Sequence, residues 1–166
     1  MSGGKSAAEL AAELNRIFRA TPFSQLKHAL TAYQQVDEVN AHLGPLGEFL
    51  DELIDDRIVV DFSGTSNLAP DQDMVFHGRQ GWADLWRTFI APWRDFTVDD
   101  DRFEELDSTR ALVIANWCLV GEESGIEIKT PMVGLWKVQD QRLIRLSQYD
   151  SIERARAEAA LPEWQP

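Results

Sequence analysis

Cysteine is almost missing from this sequence: Cys118 is the only one in 166 residues. No intrachain disulfide can form, so nothing implies an oxidising compartment. Cys118 lies in an apolar run from Val113 to Val120, the setting of a buried structural thiol. Basic residues are scarce too. The chain has 16 Lys and Arg against 28 Asp and Glu, for a formal net charge of −12. Such a field repels phosphate backbones and anionic headgroups, which argues against nucleic acid and membrane surfaces as partners. It fits a cytoplasmic protein with a neutral or apolar ligand. No apolar run approaches the ~20 residues that cross a bilayer. Residues 1–14 hold one lysine and scattered acids, and a secretory leader is not expected. The three histidines (His28, His42 and His77) show no HxH or HxxxH spacing, so no metal is expected. No GxSxG, P-loop or dinucleotide fingerprint occurs, so no cofactor is expected either.

What is present falls into two halves. To about Pro92 the chain has helical periodicity. Leu10, Leu14, Ile17 and Phe18 mark a helix over Ala7–Arg19, which Thr21-Pro22 stops. We treat residues 1–22 as an N-terminal helical extension and 23–166 as one domain. A second helix starts near Ser24 and runs toward Gly44-Pro45, with Leu26, Leu30 and Tyr33 along one side. A short third helix carries Leu46, Phe49, Leu50 and Leu53. Arg57–Phe62 is β-branched and reads as a strand, and Ser63–Asp73 is a loop. Trp82, Leu85, Trp86 and Phe89 then repeat at i, i+3, i+4, i+7 over a helix from Gly81 to Ile90.

Four strands follow: Phe96–Leu106, Arg110–Val120, Ile126–Val138 and Leu143–Asp150. The short turns between them make neighbours antiparallel. Pro131 removes a donor from the third, where a bulge or bend is expected. Ser151 caps a last helix over Ile152–Ala160. Helices first and strands afterwards predict an α+β fold with an antiparallel sheet. Met132 and Trp136 alternate with Val133 and Leu135, so both faces of the last strands are apolar. From this we expect a homodimer through the outer sheet face.

Ile58-Val59-Val60-Asp61-Phe62, His77-Gly78-Arg79-Gln80-Gly81 opening a helix, Gly134-Leu135-Trp136-Lys137-Val138, Leu143-Ile144-Arg145-Leu146 and Tyr149-Asp150 occur in this order. This set, across residues 24 to 160, resembles the nuclear-transport-factor-2-like superfamily, in its SnoaL-like and ketosteroid-isomerase-like branches. The resemblance implies a cystatin-like α+β barrel: a cone-shaped, curved antiparallel sheet packed with N-terminal helices. It also implies an apolar small-molecule ligand in the cone, such as a steroid, polyketide or terpenoid. Many such proteins are homodimers.

Asp61 stands where the isomerases of this superfamily carry their general-base aspartate. The handover of a proton from substrate to such a carboxylate is suited to an apolar cavity. The competing reading is a strand-end aspartate that begins an Asx turn. Tyr33 resembles an oxyanion-hole tyrosine on an early helix, against a core tyrosine. His77 resembles the histidine that some dehydratases pair with an aspartate, against a solvated loop residue. Asn116 either orients a ligand or satisfies a sheet irregularity. Trp86, Phe89, Val133, Leu135 and Gln148 complete the expected substrate-binding set. Val133 falls where the isomerases place a second acid, and it cannot donate. An epoxide-hydrolase template would need charge near Gln148, Ala115 and Trp117, which carry none. The leading expectation is a cofactor-free isomerase, dehydratase or cyclase working by proton transfer. The alternatives are a non-catalytic small-molecule-binding or assembly module and an epoxide-hydrolase-like enzyme.

Overall fold

A computed structural model describes residues 4–65 and 74–165. Helices α1 (Ala7–Arg19), α2 (Phe23–Ala32), α3 (Val36–Ala41) and α4 (Pro45–Leu53) come first. Strands β1 (Ile54–Gly64) and β2 (Val75–His77) follow, then α5 (Gly78–Ile90). Strands β3 (Trp93–Asp107), β4 (Arg110–Gly121), β5 (Glu127–Gln139) and β6 (Arg142–Tyr149) precede α6 (Ile152–Ala159) and a 3-10 turn at Pro162–Trp164. The fold is α+β, with the early helices packed on one curved six-stranded sheet in the order β2-β1-β6-β5-β4-β3. Of the loop expected over 63–73, residues 66–73 lie outside the described residues.

The sheet is mixed rather than wholly antiparallel. β3, β4, β5 and β6 form the expected meander, but β1 joins β6 in parallel, Val60 opposite Leu146 and Asp61 opposite Ser147. The chain crosses the sheet to make this pair, so no local turn signals it. The bend expected at Pro131 is elsewhere. β4 and β5 stay in register through Asn116 opposite Pro131. β6 pairs with β5 only as far as Val133, so Pro131 stands beyond that pairing. Within the meander, register shifts lie between Trp93 and Asp95, between Asp99 and Arg102, where Asp100 has φ +55, between Glu105 and Asp107, and in β5 between Lys137 and Val138. Aspartate tolerates this left-handed conformation better than most residues.

Ser6 and Glu9 form a reciprocal capping box that starts α1. Ala7 and Ala11 are fully buried, and Leu10 nearly so. Helix α1 therefore packs into the core through these residues. The expected second helix breaks at Tyr33–Gln35 into α2 and α3. Side chains of α5 satisfy the break. Arg87 donates to the carbonyls of Leu30, Tyr33 and Gln34, while Gln80 accepts from Val36 N–H and donates to Gln34 O. Such tertiary capping lets six residues stand as their own helix.

The sheet has two cores. On its concave side, Val60, Phe62, Ala115, Trp117, Met132, Trp136 and Leu146 pack under the helices. On its outer side, Leu112, Val133, Leu135 and Tyr149 pack under Ala155, Ala159 and Trp164. The apolar outer face that led us to expect a dimer is thus covered by the chain's own C-terminal segment. Arg110 ties that segment down through Asp107 and the Ala159 carbonyl, and the Arg145 guanidinium lies 4.2 Å from the Trp164 ring centroid. Trp164 is completely buried. Trp164→Ala should cost about 3–5 kcal/mol in urea unfolding. A loss below about 1 kcal/mol would mean that the segment is a loose cover.

Candidate functional site

A cavity of about 110 Å³ lies between the helical layer and the concave face of the sheet. Helices α1 to α5 all reach it, through Leu14, Phe18, Leu26, Leu30, Val39, Leu46, Leu50 and Trp82 among others. The sheet contributes Phe96 and Val98 from β3, Val113, Ala115 and Trp117 from β4, Trp136 from β5, and Leu146 and Gln148 from β6. Strand alternation explains the β4 set: every second residue faces the helices. Four tryptophans (Trp82, Trp86, Trp117 and Trp136) share the wall.

Three carboxamides supply its polarity: Asn15, Asn40 and Gln148. Ion pairs hold two of them from behind. Asn15 Nδ2 donates to Asp101, which is salt-bridged to Arg19. Asn40 Nδ2 donates to Asp51 at 2.8 Å, and Arg79 donates to the same carboxylate. A carboxylate only accepts, so each amide must turn its nitrogen outward. Asn40 holds its place because Gly47 allows α4 to approach α3: a Cβ there would lie 1.8 Å from the Asn40 carbonyl oxygen. Gln148 differs. It is 8% exposed, and its Oε1 is buried with no hydrogen-bond partner. Trp86 Nε1 is buried and unpartnered as well. No Asp, Glu, His, Lys, Arg, Tyr, Ser or Cys lines the cavity among the described residues.

Of the nine residues expected from sequence, the structure brings Trp86 and Gln148 to the cavity wall. Phe89 is buried beside them, its ring 5.8 Å from Trp86 and 5.4 Å from Trp117. Val133 and Leu135 face outward into the core beneath α6. Asp61 also faces outward, between the inward-facing Val60 and Phe62. Its Oδ1 accepts from Ser63 N–H at 2.8 Å and from the Ser63 hydroxyl, the Asx arrangement of the competing reading. Tyr33 leaves the helix at the α2 terminus and stacks on His42 at 4.0 Å. His77 is exposed and precedes α5 without capping it. Asn116 points outward and donates to Asp100. Cys118 is half-buried beside Asp99 on that same face, not enclosed in the core. Burial, then Asp99, pushes its thiol pKa up, so it is a poor nucleophile. Asn15 and Asn40 were not expected. Each is one polar residue on a helix whose inner face is otherwise apolar, a pattern that could have marked them.

Among the described residues, no three His, Cys, Asp or Glu side chains are grouped to hold a metal ion. No described helix is long and apolar enough to cross a membrane.

No family model matches this chain, and no curated protein matches it in sequence. Solved structures do match. A candidate polyketide cyclase from Pseudomonas putida KT2440 superimposes with a TM-score of 0.58 at 16% identity, over 90% of this chain and 95% of that one. A protein of the nuclear-transport-factor-2-like kind from Anabaena variabilis ATCC 29413 gives 0.58 at 11% identity, over 91% and 93%. TerC, co-crystallised with polyporic acid, gives 0.52 at 10% identity, over 81% and 95%. The chain has the nuclear-transport-factor-2-like fold shared by SnoaL-like proteins. At these identities the likeness concerns the fold, and function rests with the site.

Three carboxyls lowered by their partners, one of them behind the cavity, make stability pH-dependent. Burial raises the Asp101 carboxyl, but the hydrogen bonds from Arg19 and Asn15 outweigh it and leave the group below its usual range. Asp107 behaves alike through Arg110 and Thr109. Asp55 is lowered by Arg57. Groups depressed in the folded state stabilise it fully above the unfolded value, about 3.9, and lose that contribution as pH falls through their folded values. Urea midpoints should be flat from pH 7 to 5 and drop steeply below about pH 4. Asp101→Asn should make the drop shallower. An unchanged slope in that variant would show that Asp101 carries none of it.

Proposed function

We propose that this domain binds an apolar, oxygen-bearing small molecule of about one ring inside the cone. The carrying observation is the cavity itself: aromatic and aliphatic walls, three carboxamides, and two polar atoms without partners. An apolar cavity of about 150 Å³ takes benzene in another protein. A volume of about 110 Å³ is of that order. A four-ring steroid would need the helices to part, and a single ring or short chain does not.

Binding is favoured over acid/base turnover by the wall chemistry. Proton abstraction needs a titratable group within hydrogen-bond reach of the substrate. Asp61, Tyr33 and His77 lie away from the cavity wall, and the wall residues that are described do not titrate. Reaction in such a site would work by holding a flexible substrate in a reactive shape, with the Gln148 amide N–H the carboxamide donor left to polarise an oxygen. Isomerisation and cyclisation are the classes open to it. The Pseudomonas protein of the same fold is described as a candidate cyclase, and TerC was crystallised with polyporic acid. Both are consistent with a ligand in the cone.

Toluene is a suitable probe. It should raise the thermal midpoint by mass action, because only the folded state offers the cavity. Ala115→Phe fills the space from β4 and should abolish the effect while keeping the fold, at an overpacking cost of about 1–3 kcal/mol. Asp61→Asn should leave toluene binding unchanged. Loss of binding in Asp61→Asn, with retention in Ala115→Phe, would move the site to the outer face.

A further inference from the structure

Among the described residues, Gln148 carries the one side-chain amide in the cavity wall that no ion pair holds. It projects from β6 across β5 at Gly134, its register partner. A Cβ built on Gly134 would stand 3.0 Å from Nε2 and 3.4 Å from Cδ. The missing side chain at 134 therefore leaves the room that the amide occupies. Two neighbouring strands fix its place; the residue lines the cavity, and its Oε1 is buried without a hydrogen-bond partner, within reach of a ligand after a small turn of the amide. A buried acceptor left so costs about 1–3 kcal/mol relative to one that is satisfied. A ligand that donates to it recovers that loss.

We propose that the ligand is uncharged and presents a hydroxyl, as an alcohol, phenol or enol, to Gln148, which sets the specificity of the site. The inference rests on the reading of the cavity as a small-molecule site and names the chemistry it selects. A hydroxyl both donates and accepts, so it fits a carboxamide whichever way the amide is turned. Anions are disfavoured. No Lys or Arg lines the cavity among the described residues, and the chain carries a formal net charge of −12. Cations find aromatic walls but, among the described residues, no carboxylate in the wall to pair with, and a buried unpaired charge is costly. A wholly apolar ligand leaves Oε1 unsatisfied.

The test compares phenol with toluene, its near-isostere, and with benzoate and benzylammonium at neutral pH. Dissociation constants come from NMR titration of the intact chain. Transfer from water alone favours toluene, so a preference for phenol requires a polar partner inside. Phenol should bind roughly three- to ten-fold more tightly than toluene, the worth of one net hydrogen bond. Both ions should bind far more weakly. In Gln148→Met, which keeps the length and removes the amide, toluene should still bind and the order should reverse. Toluene binding as tightly as phenol in the wild type would overturn the inference while leaving the cavity a binding site. So would a phenol preference that survives Gln148→Met. Tighter binding of benzoate or benzylammonium than of phenol would also overturn it. Failure of all four probes in the wild type would sink the binding reading itself, and this inference with it.

Discussion

Helix α5 is held on the sheet by one aromatic cluster. Trp86 and Phe89 of α5 meet Phe62 of β1, Phe96 of β3 and Trp117 of β4 at centroid distances from 5.4 to 6.3 Å, mostly tilted or edge-on. Rings so arranged gain electrostatic attraction beyond the large area they bury. The same rings fix how far α5 stands from the sheet. Large rigid side chains pack at one end, while Ala83 and Ala115 leave space nearby. The cavity is the volume those small residues do not fill. Its wall is consequently aromatic on several sides, and its shape follows from the packing that stabilises the fold.

The polar groups follow a related logic. A carboxamide in an apolar wall needs partners, and Asn15 and Asn40 find theirs in carboxylates held by Arg19 and Arg79 at the surface. The charges stay where water can reach them, and only neutral amides enter the cavity. This arrangement avoids the desolvation cost of a buried ion. It also deprives the wall of a proton carrier.

Much of the fold was legible because period and strand length were. The α5 stripe of Trp82, Leu85, Trp86 and Phe89 and the three hairpin-linked strands β4, β5 and β6 follow directly from sequence spacing. What failed depended on partners far away in the chain. The α2–α3 break depends on Gln80 and Arg87, more than forty residues on. The β1–β6 pairing joins the middle of the chain to its end. The site was least legible, because facing in a strand changes with each residue. Asp61 lies between two inward residues and so points out. Val133 and Leu135 point out by the same rule, and the helix that covers them comes after the sheet in sequence. Trp86 was found because an aromatic stripe at helical spacing survives a small error of register, and Gln148 because the epoxide-hydrolase template falls near it on the last strand.

The central claim is that the cone between α5 and the sheet is an accessible site for a ring-sized apolar ligand. Crystals soaked with bromobenzene test it most directly, since anomalous scattering locates the bromine independently of the protein model. The account predicts a single strong peak in the cavity, within van der Waals distance of Trp86 and Trp117. A cavity without bromine, with the halide found on the outer face near Asp61 or nowhere, would contradict it.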